Sequence, residues 1–184
     1  MSLVELIAQA DERGLAASGL ACLDRCVPLL GGDDEILRPL WASLTDGADA
    51  EEWGERLEQA RGKLDVAGAE DEAVLLAHRM LEAAPAGRAA AEVRVWADAC
   101  SVASLQIHRL LDTAEDEASS VAVRREGRTE GMSPLVAAEL RRQIVVLEVL
   151  AGHGPAGLRR ALEVSTEGRR VLRAVVSRRT RQHG

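Results

Sequence analysis

The chain has 184 residues, of which 47% are hydrophobic, and it carries a formal charge of −7. This length allows one sizeable hydrophobic core and requires no second domain, and the acidic excess argues against a general nucleic-acid binder. Phe and Tyr are absent, so Leu, Val, Ile, Ala and three tryptophans must fill the core, a composition that favours helices over strands.

Charge is distributed unevenly along the chain. Residues 1–90 contain 8 basic and 18 acidic residues, whereas residues 91–184 contain 15 and 12, so the two halves can attract each other. Lys63 is the single lysine, a bias typical of a GC-rich bacterial genome. Three cysteines without disulfide spacing, no basic leader and no long apolar run predict a cytoplasmic protein with free thiols and no membrane span.

Helix-start signals recur through the first 90 residues. Ser2 and Glu5 form a capping box, and Pro28 is expected to bend or end the second helix. Three acidic clusters follow glycines and precede apolar periodic segments, which is typical of carboxylates at the positive ends of helix dipoles. The helices predicted in this half cover residues 3–14, 15–30, 33–44, 49–64 and 70–84.

Two long helices are predicted at the centre of the fold. The segment 86–112 is apolar on nearly all sides, and 134–151 confines its polar residues to a few positions, so both should be buried. Between them, 113–123 is either a short helix or a continuation of the long one, and the polar stretch 124–132 is predicted to be a mobile loop. A final basic helix should cover 156–180. We therefore expect a single all-α domain, a bundle or array of seven to nine helices.

His108 and Asp112 provide the sharpest catalytic hypothesis. They are four residues apart on the first long helix, so the carboxylate could orient the imidazole as a general base or a metal ligand. Such pairs are more often surface interactions worth roughly a few tenths of a kcal/mol. Cys22 and Cys26 lack a second cysteine pair, so neither a metal nor a cofactor is predicted.

Four residues are candidate ligand-binding groups. Trp96, Cys100 and Ser104 lie along a surface of small side chains that permits close helix packing or leaves room for a ligand. Glu148 interrupts an apolar run, and burial there would raise its pKa as in a functional carboxyl. It points in nearly the same direction as Arg141, however, which favours a polar strip shared by the two.

The final helix combines an apolar face with an arginine face. This pattern is typical of a helix that binds an anion, an acidic protein or a membrane surface, and equally of a bundle helix that pairs with the acidic first half. Interleaved aromatics are absent, so an acidic protein is favoured over nucleic acid. The arginines concerned are Arg159, Arg160, Arg170, Arg173, Arg178 and Arg181.

The long helix also carries Val95, Val102 and Leu105 opposite its main apolar stripe. Such an excess of apolar positions predicts a homodimer or the docking of another protein. We therefore expect a non-enzymatic interaction or scaffold protein. Three alternatives stay open: a small-molecule pocket beside the 86–112 helix, a hydrolase-like enzyme that uses His108 and Asp112, and an anion or nucleic-acid site on the C-terminal arginines.

Overall fold

A computed structural model describes residues 1–64 and 70–183, and all regular secondary structure in these ranges is helical. In chain order the helices are α1 (Leu3–Gln9), α2 (Glu12–Arg25), α3 (Val27–Leu30), α4 (Arg38–Ala42), α5 (Ala50–Lys63), α6 (Glu72–Ala83), α7 (Ala90–Leu111), α8 (Ala122–Arg125), α9 (Pro134–His153) and α10 (Leu158–His183), with a 3-10 turn (Gly154–Gly157) before α10. Among them α3, α4 and α8 are four or five residues long and the other seven are longer, so the predicted all-α bundle is confirmed.

Side-chain caps begin several helices where the sequence predicts them. The Ser2 hydroxyl accepts a hydrogen bond from the Glu5 amide at 3.3 Å, and the Glu5 carboxylate accepts one from the Ser2 amide at 3.2 Å. Asp49 caps α5 by accepting a hydrogen bond from the Glu51 amide, and Asp71 caps α6 by accepting one from the Ala73 amide. The acidic cluster at 33–35 forms only a turn, and α4 begins later, where a proline occupies its first turn.

Other predicted boundaries also differ in the structure. The first helix, predicted over 3–14, ends at Gln9, and α2 begins at Glu12, after the Asp11 carboxylate that accepts a hydrogen bond from the Gly14 amide. The helix predicted over 15–30 is divided into α2 and α3, because Pro28 has no amide hydrogen to donate to the carbonyl of Asp24. The segment 113–123 does not continue the long helix, and it is non-helical as far as Val121. Helix α8 (Ala122–Arg125) instead spans the junction between this segment and the stretch predicted as a mobile loop. Arg124 anchors that stretch, since its buried guanidinium donates to the Asp116 carboxylate.

Helix α2 lies at the centre of the fold together with the two long helices that the sequence predicts there. All of its residues from 14 to 25 are buried, and it packs against α7, α9 and α10. Small side chains permit this close approach: a Cβ atom on Gly19 would lie 2.6 Å from the indole of Trp96 on α7. One continuous core of buried side chains joins the longer helices. Within the described ranges, no helix is both long and apolar enough to cross a membrane.

Gly168 of α10 provides a test of this packing. A Cβ atom there would overlap Cδ of Arg25 and lie 2.9 Å from Cδ of Arg142. We expect Gly168→Ala to lower the free energy of unfolding by about 1–3 kcal/mol, as overpacking does, although alanine is roughly 0.5–1 kcal/mol the better helix former. Chemical denaturation measures the change.

The matched control is Gly62→Ala in α5, where a Cβ atom would meet nothing within 4 Å. This exposed position should gain roughly 0.5–1 kcal/mol, the propensity difference alone. If Gly168→Ala stabilised the protein as much as Gly62→Ala does, the tight approach of α10 to Arg25 would be wrong.

Candidate functional site

An ion pair lies in the core, where α2 meets α9. Nε of Arg25 donates to Oε2 of Glu139 at 2.7 Å, and Nη2 donates to Oε1 at 2.7 Å. Both side chains are 0% exposed. This bidentate geometry is the strongest form of a charge-assisted hydrogen bond, and it couples two helices that are distant in sequence.

Helix α7 and a second α9 side chain complete the environment of the Glu139 carboxylate. The Ser104 hydroxyl donates to its Oε1 at 2.7 Å, and the Gln143 amide donates to the same oxygen at 3.0 Å. Nε2 of His108 lies 3.6 Å from Oε2. Three helices thus meet at one buried carboxylate, and we call Arg25, Ser104, His108, Glu139 and Gln143 the core network.

The core network extends to the surface through α8. The Ser101 hydroxyl donates to Oε1 of Gln143 at 2.6 Å and accepts from Nε of Arg125 at 3.1 Å. Arg125 in turn forms an ion pair with Asp98, whose side chain is about half exposed. A continuous chain of hydrogen bonds therefore joins the centre of the protein to the surface beside α7.

Opposing effects set the charge states of the core network. Burial alone would raise the pKa of Glu139, but the charge of Arg25, the nearby His108 and the donated hydrogen bonds lower it to about 2. Burial lowers the pKa of His108 below 6.5, and the attraction of Glu139 opposes this only in part. At neutral pH, Arg25 and Glu139 are therefore charged and His108 is neutral.

The hydrogen bond of His108 indicates its tautomer. Nδ1 lies 2.7 Å from the backbone carbonyl oxygen of Ser104, which can only accept a hydrogen bond. The proton of the neutral imidazole is therefore on Nδ1, and the Nε2 lone pair faces the Glu139 carboxylate. Neutral His108 therefore has no N–H group to donate to Glu139. It acquires one only when Nε2 is protonated.

The core network is enclosed by the helices. His108 is 1% exposed, and the surface cavities of about 360–500 Å³ at the helix junctions are lined by other residues. A general base must come within hydrogen-bond reach of a substrate proton. The arrangement is therefore suited to holding helices together, and it offers no reacting atom to a ligand.

The structure does not bring His108 and Asp112 together. Asp112 leaves the helix in an extended conformation, and its carboxylate accepts hydrogen bonds from the amides of Ala114 at 3.0 Å and Leu135 at 2.8 Å. It thus closes α7 and joins it to the first turn of α9. The acidic neighbour of His108 is Glu139 instead, and within the described ranges no cluster of three or more metal-ligating side chains occurs.

The candidate ligand-binding residues have different environments. Trp96 and Cys100 are buried, and they border a groove of about 390 Å³ between α6 and α7. Ser104 faces the core network instead. Glu148 is exposed, as is Arg141, so Glu148 is not a buried carboxyl and any polar strip that the two share lies on the surface of α9.

Cysteine thiols offer no reactive group in the core. All three cysteines are free and buried, and burial raises the pKa of each thiol. They are therefore protonated at neutral pH and behave as small apolar side chains, which is how the sequence analysis interpreted Cys22 and Cys26.

Several arginines of α10 pair with acids. Arg173 donates to Asp34 at 2.6 Å, whereas Arg159 and Arg160 approach Glu163 on their own helix at 3.8 and 3.5 Å. The sequence analysis did not single out Arg169, which is buried and binds Asp24 at 2.6 Å. Pairing of α10 with the acidic first half is therefore present in the fold. The remaining candidate arginines, Arg170, Arg178 and Arg181, are exposed.

No protein-family model, curated protein or solved structure matches this chain, so its function has to be argued from its own residues.

The core ion pair provides a stability prediction. Glu139→Gln leaves the buried charge of Arg25 without a counter-charge, so we expect the free energy of unfolding to fall by about 3–5 kcal/mol. The double variant Arg25→Met with Glu139→Leu should recover most of this loss, because neither charge is then buried unpaired. Denaturant titration of all variants provides the comparison. Glu148→Gln, an exposed acid on the same helix, is the control, and an equal effect of the two Gln substitutions would contradict a structural role for the pair.

His108 provides a pH prediction. Its folded pKa lies below 6.5, so the unfolded chain takes up the proton more readily, and stability falls as the pH decreases through 6.5. His108→Gln removes this effect, so the difference in unfolding free energy between wild type and variant should depend on pH between 7.5 and 5.5. The low pKa of Glu139 acts only below 4.5, outside that window. The exposed His153→Gln is the control; a pH-independent difference for His108→Gln would contradict the depressed pKa.

Proposed function

We propose that the protein is a non-enzymatic, self-associating helical module in which the α6–α7 face of one copy packs against the same face of a second copy. The observation that carries this proposal is an uncharged stripe on the outer side of α7. Val95 is 72% exposed and Leu110 is 43% exposed, at opposite ends of this stripe. The α7 stripe consists of Val95, Ala99, Val102, Ala103, Gln106 and Leu110.

Helical geometry makes the α7 stripe continuous. Successive residues turn by about 100°, so the six positions fall within a sector of roughly 100° and extend for about 22 Å along the axis. Leu105, which the sequence analysis placed with Val95 and Val102, is fully buried in the core and does not belong to this surface. The apolar excess of α7 is therefore narrower than predicted, but it still faces outward.

The six positions of the α7 stripe are spaced symmetrically about the midpoint between Val102 and Ala103. In an antiparallel pair related by a two-fold axis at that point, Val95 lies opposite the partner's Leu110. Ala99 lies opposite the partner's Gln106, and Val102 opposite the partner's Ala103. Each alanine thus meets a larger side chain, which is the self-complementarity that an isologous interface requires.

Helix α6 enlarges this surface. Leu76, Met80 and Ala83 form the second wall of the groove of about 390 Å³ beside the α7 stripe, with Arg79 as its charged residue. A single helix strip about 22 Å long and 10–12 Å wide offers less than the roughly 800 Å² per partner of a typical stable interface. The groove on α6 must therefore take part, and we expect a reversible, concentration-dependent dimer.

The alternatives find less support in the geometry. The hydrolase hypothesis needs His108 and Asp112 in one accessible site, but the first is enclosed and the second caps α7. The anion hypothesis for the whole arginine face of α10 is weakened because Arg173 already pairs with Asp34, although Arg170, Arg178 and Arg181 are exposed. The groove beside Trp96 lies in the same place as the pocket that the sequence suggests, and the proposed dimer occupies it.

Charge substitution tests the proposal. Val95→Glu places a carboxylate in the proposed interface, so the variant should be monomeric at concentrations where the wild type dimerises, because an unpaired interfacial charge is costly to desolvate. Sedimentation velocity over a concentration series measures this. Val171→Glu, at a valine of α10 that is 37% exposed, is the matched control and should dimerise like the wild type.

A second substitution tests the antiparallel register. In Val95→Glu combined with Leu110→Lys, each introduced carboxylate faces the partner's introduced ammonium group, so dimerisation should return. A parallel pairing would place like charges opposite each other and would not be rescued. A wild type that stays monomeric at all concentrations, or equal association of the Val95→Glu and Val171→Glu variants, would overturn the proposal.

A further inference from the structure

A second surface cavity lies between α4, the 3-10 turn and the beginning of α10. It has a volume of about 490 Å³, and small-molecule sites typically have volumes of roughly 300–1,000 Å³. Its walls are formed by carbon atoms of Trp41, Ala42, Pro155, Leu158 and Leu162. The cavity shares no residue with the α7 stripe, so it is independent of the proposed dimer.

The polar atoms of the wall side chains are already engaged within the protein. Nε1 of Trp41 donates to Oδ2 of Asp24 at 3.0 Å, which fixes the indole in the cavity wall and occupies its N–H. The Thr45 hydroxyl donates to the backbone carbonyl of Ala42 at 2.7 Å. The wall side chains therefore suit an apolar ligand body and offer it no donor of their own.

The charged lining residues are two arginines and no acid. Nε of Arg38 contacts Glu35 at 2.6 Å, so its terminal nitrogens remain available as donors. Arg159 has a side chain that is 92% exposed, and its contact with Glu163 is a loose one at 3.8 Å. Each guanidinium has five N–H groups in a fork that matches a carboxylate. The polar recognition that the cavity can supply is therefore recognition of an anion.

We propose that this cavity binds a free amphipathic carboxylate, with its compact apolar body against Trp41 and its carboxylate between Arg38 and Arg159. A lipid held in a membrane would present only its headgroup and would leave the apolar walls uncovered. A ligand free in solution can place its apolar body against the walls and its carboxylate between the two arginines at the same time.

Calorimetric titration with octanoate and with 1-octanol tests the proposal. Octanoate should bind more tightly than the alcohol, which has the same chain and no charge. Arg38→Gln and Arg159→Gln should each weaken octanoate binding by roughly two- to fivefold, the contribution of an exposed charge pair. Neither substitution should change octanol binding. Arg170→Gln, at an exposed arginine of α10 outside the cavity, is the matched control and should leave both affinities unchanged.

Filling the cavity provides an independent check. Ala42→Trp replaces an exposed alanine of the wall, so it should abolish binding of both probes while the thermal unfolding transition stays cooperative. The proposal is overturned if octanol binds as tightly as octanoate, or if Ala42→Trp leaves binding intact. It is equally overturned if the wild type binds vesicles of phosphatidylglycerol but not free octanoate.

Discussion

The buried ion pair between Arg25 and Glu139 is the constraint around which the helices are arranged. Removing two charges from water costs several kcal/mol for each ion, and an interior tolerates this only when the geometry is good and the remaining donors and acceptors are satisfied. The guanidinium, Ser104 and Gln143 together meet this demand at the carboxylate, whereas Nη1 of Arg25 is buried without a hydrogen-bond partner among the described residues. Because the pair has one favourable geometry, it sets the rotation and depth of α2 against α9. The absence of a side chain at Gly168 then lets α10 cover the aliphatic part of Arg25.

The directional constraint that this ion pair supplies is important for specifying one arrangement of a core that contains no Phe or Tyr. Aliphatic side chains of similar volume can repack with little loss of stability, so they specify a unique arrangement weakly. The tryptophans add directional contacts: Nε1 of Trp96 donates to the Met80 carbonyl at 2.9 Å, and Nε1 of Trp53 donates to the Pro85 carbonyl at 2.8 Å. The rings of these two tryptophans also pack edge to face, with their centroids 5.8 Å apart. Polar groups, rather than shape alone, thus fix the register between helices.

Local signals in the sequence predict most of the helices, and they do so because caps and apolar periodicity act within one or two turns. The core network could not be predicted in this way, since Arg25 and Glu139 are 114 residues apart and meet only through the tertiary fold. In the sequence, Glu148 is the acid of α9 that stands out, because it interrupts an apolar run. Nine residues at about 100° each place Glu139 on the opposite side of that helix, and because α9 is apolar on nearly all sides, periodicity could not tell which side faces inward. His108 is a candidate already in the sequence. Its predicted partner Asp112, however, lies just beyond the end of α7, where the backbone is extended.

Part of the charge asymmetry of the sequence is neutralised inside the fold. Arg169, Arg173 and Arg179 of α10 pair with Asp24, Asp34 and Asp71 of the first half, along one side of the helix. These pairs hold the basic helix against the acidic segments and neutralise three of its arginines within the chain. Surfaces where charge is sparse are available for recognition as well. The outer side of α7 is such a surface, and a stripe without charge that matches itself across a two-fold axis favours a second copy of the same chain over a partner chosen by charge.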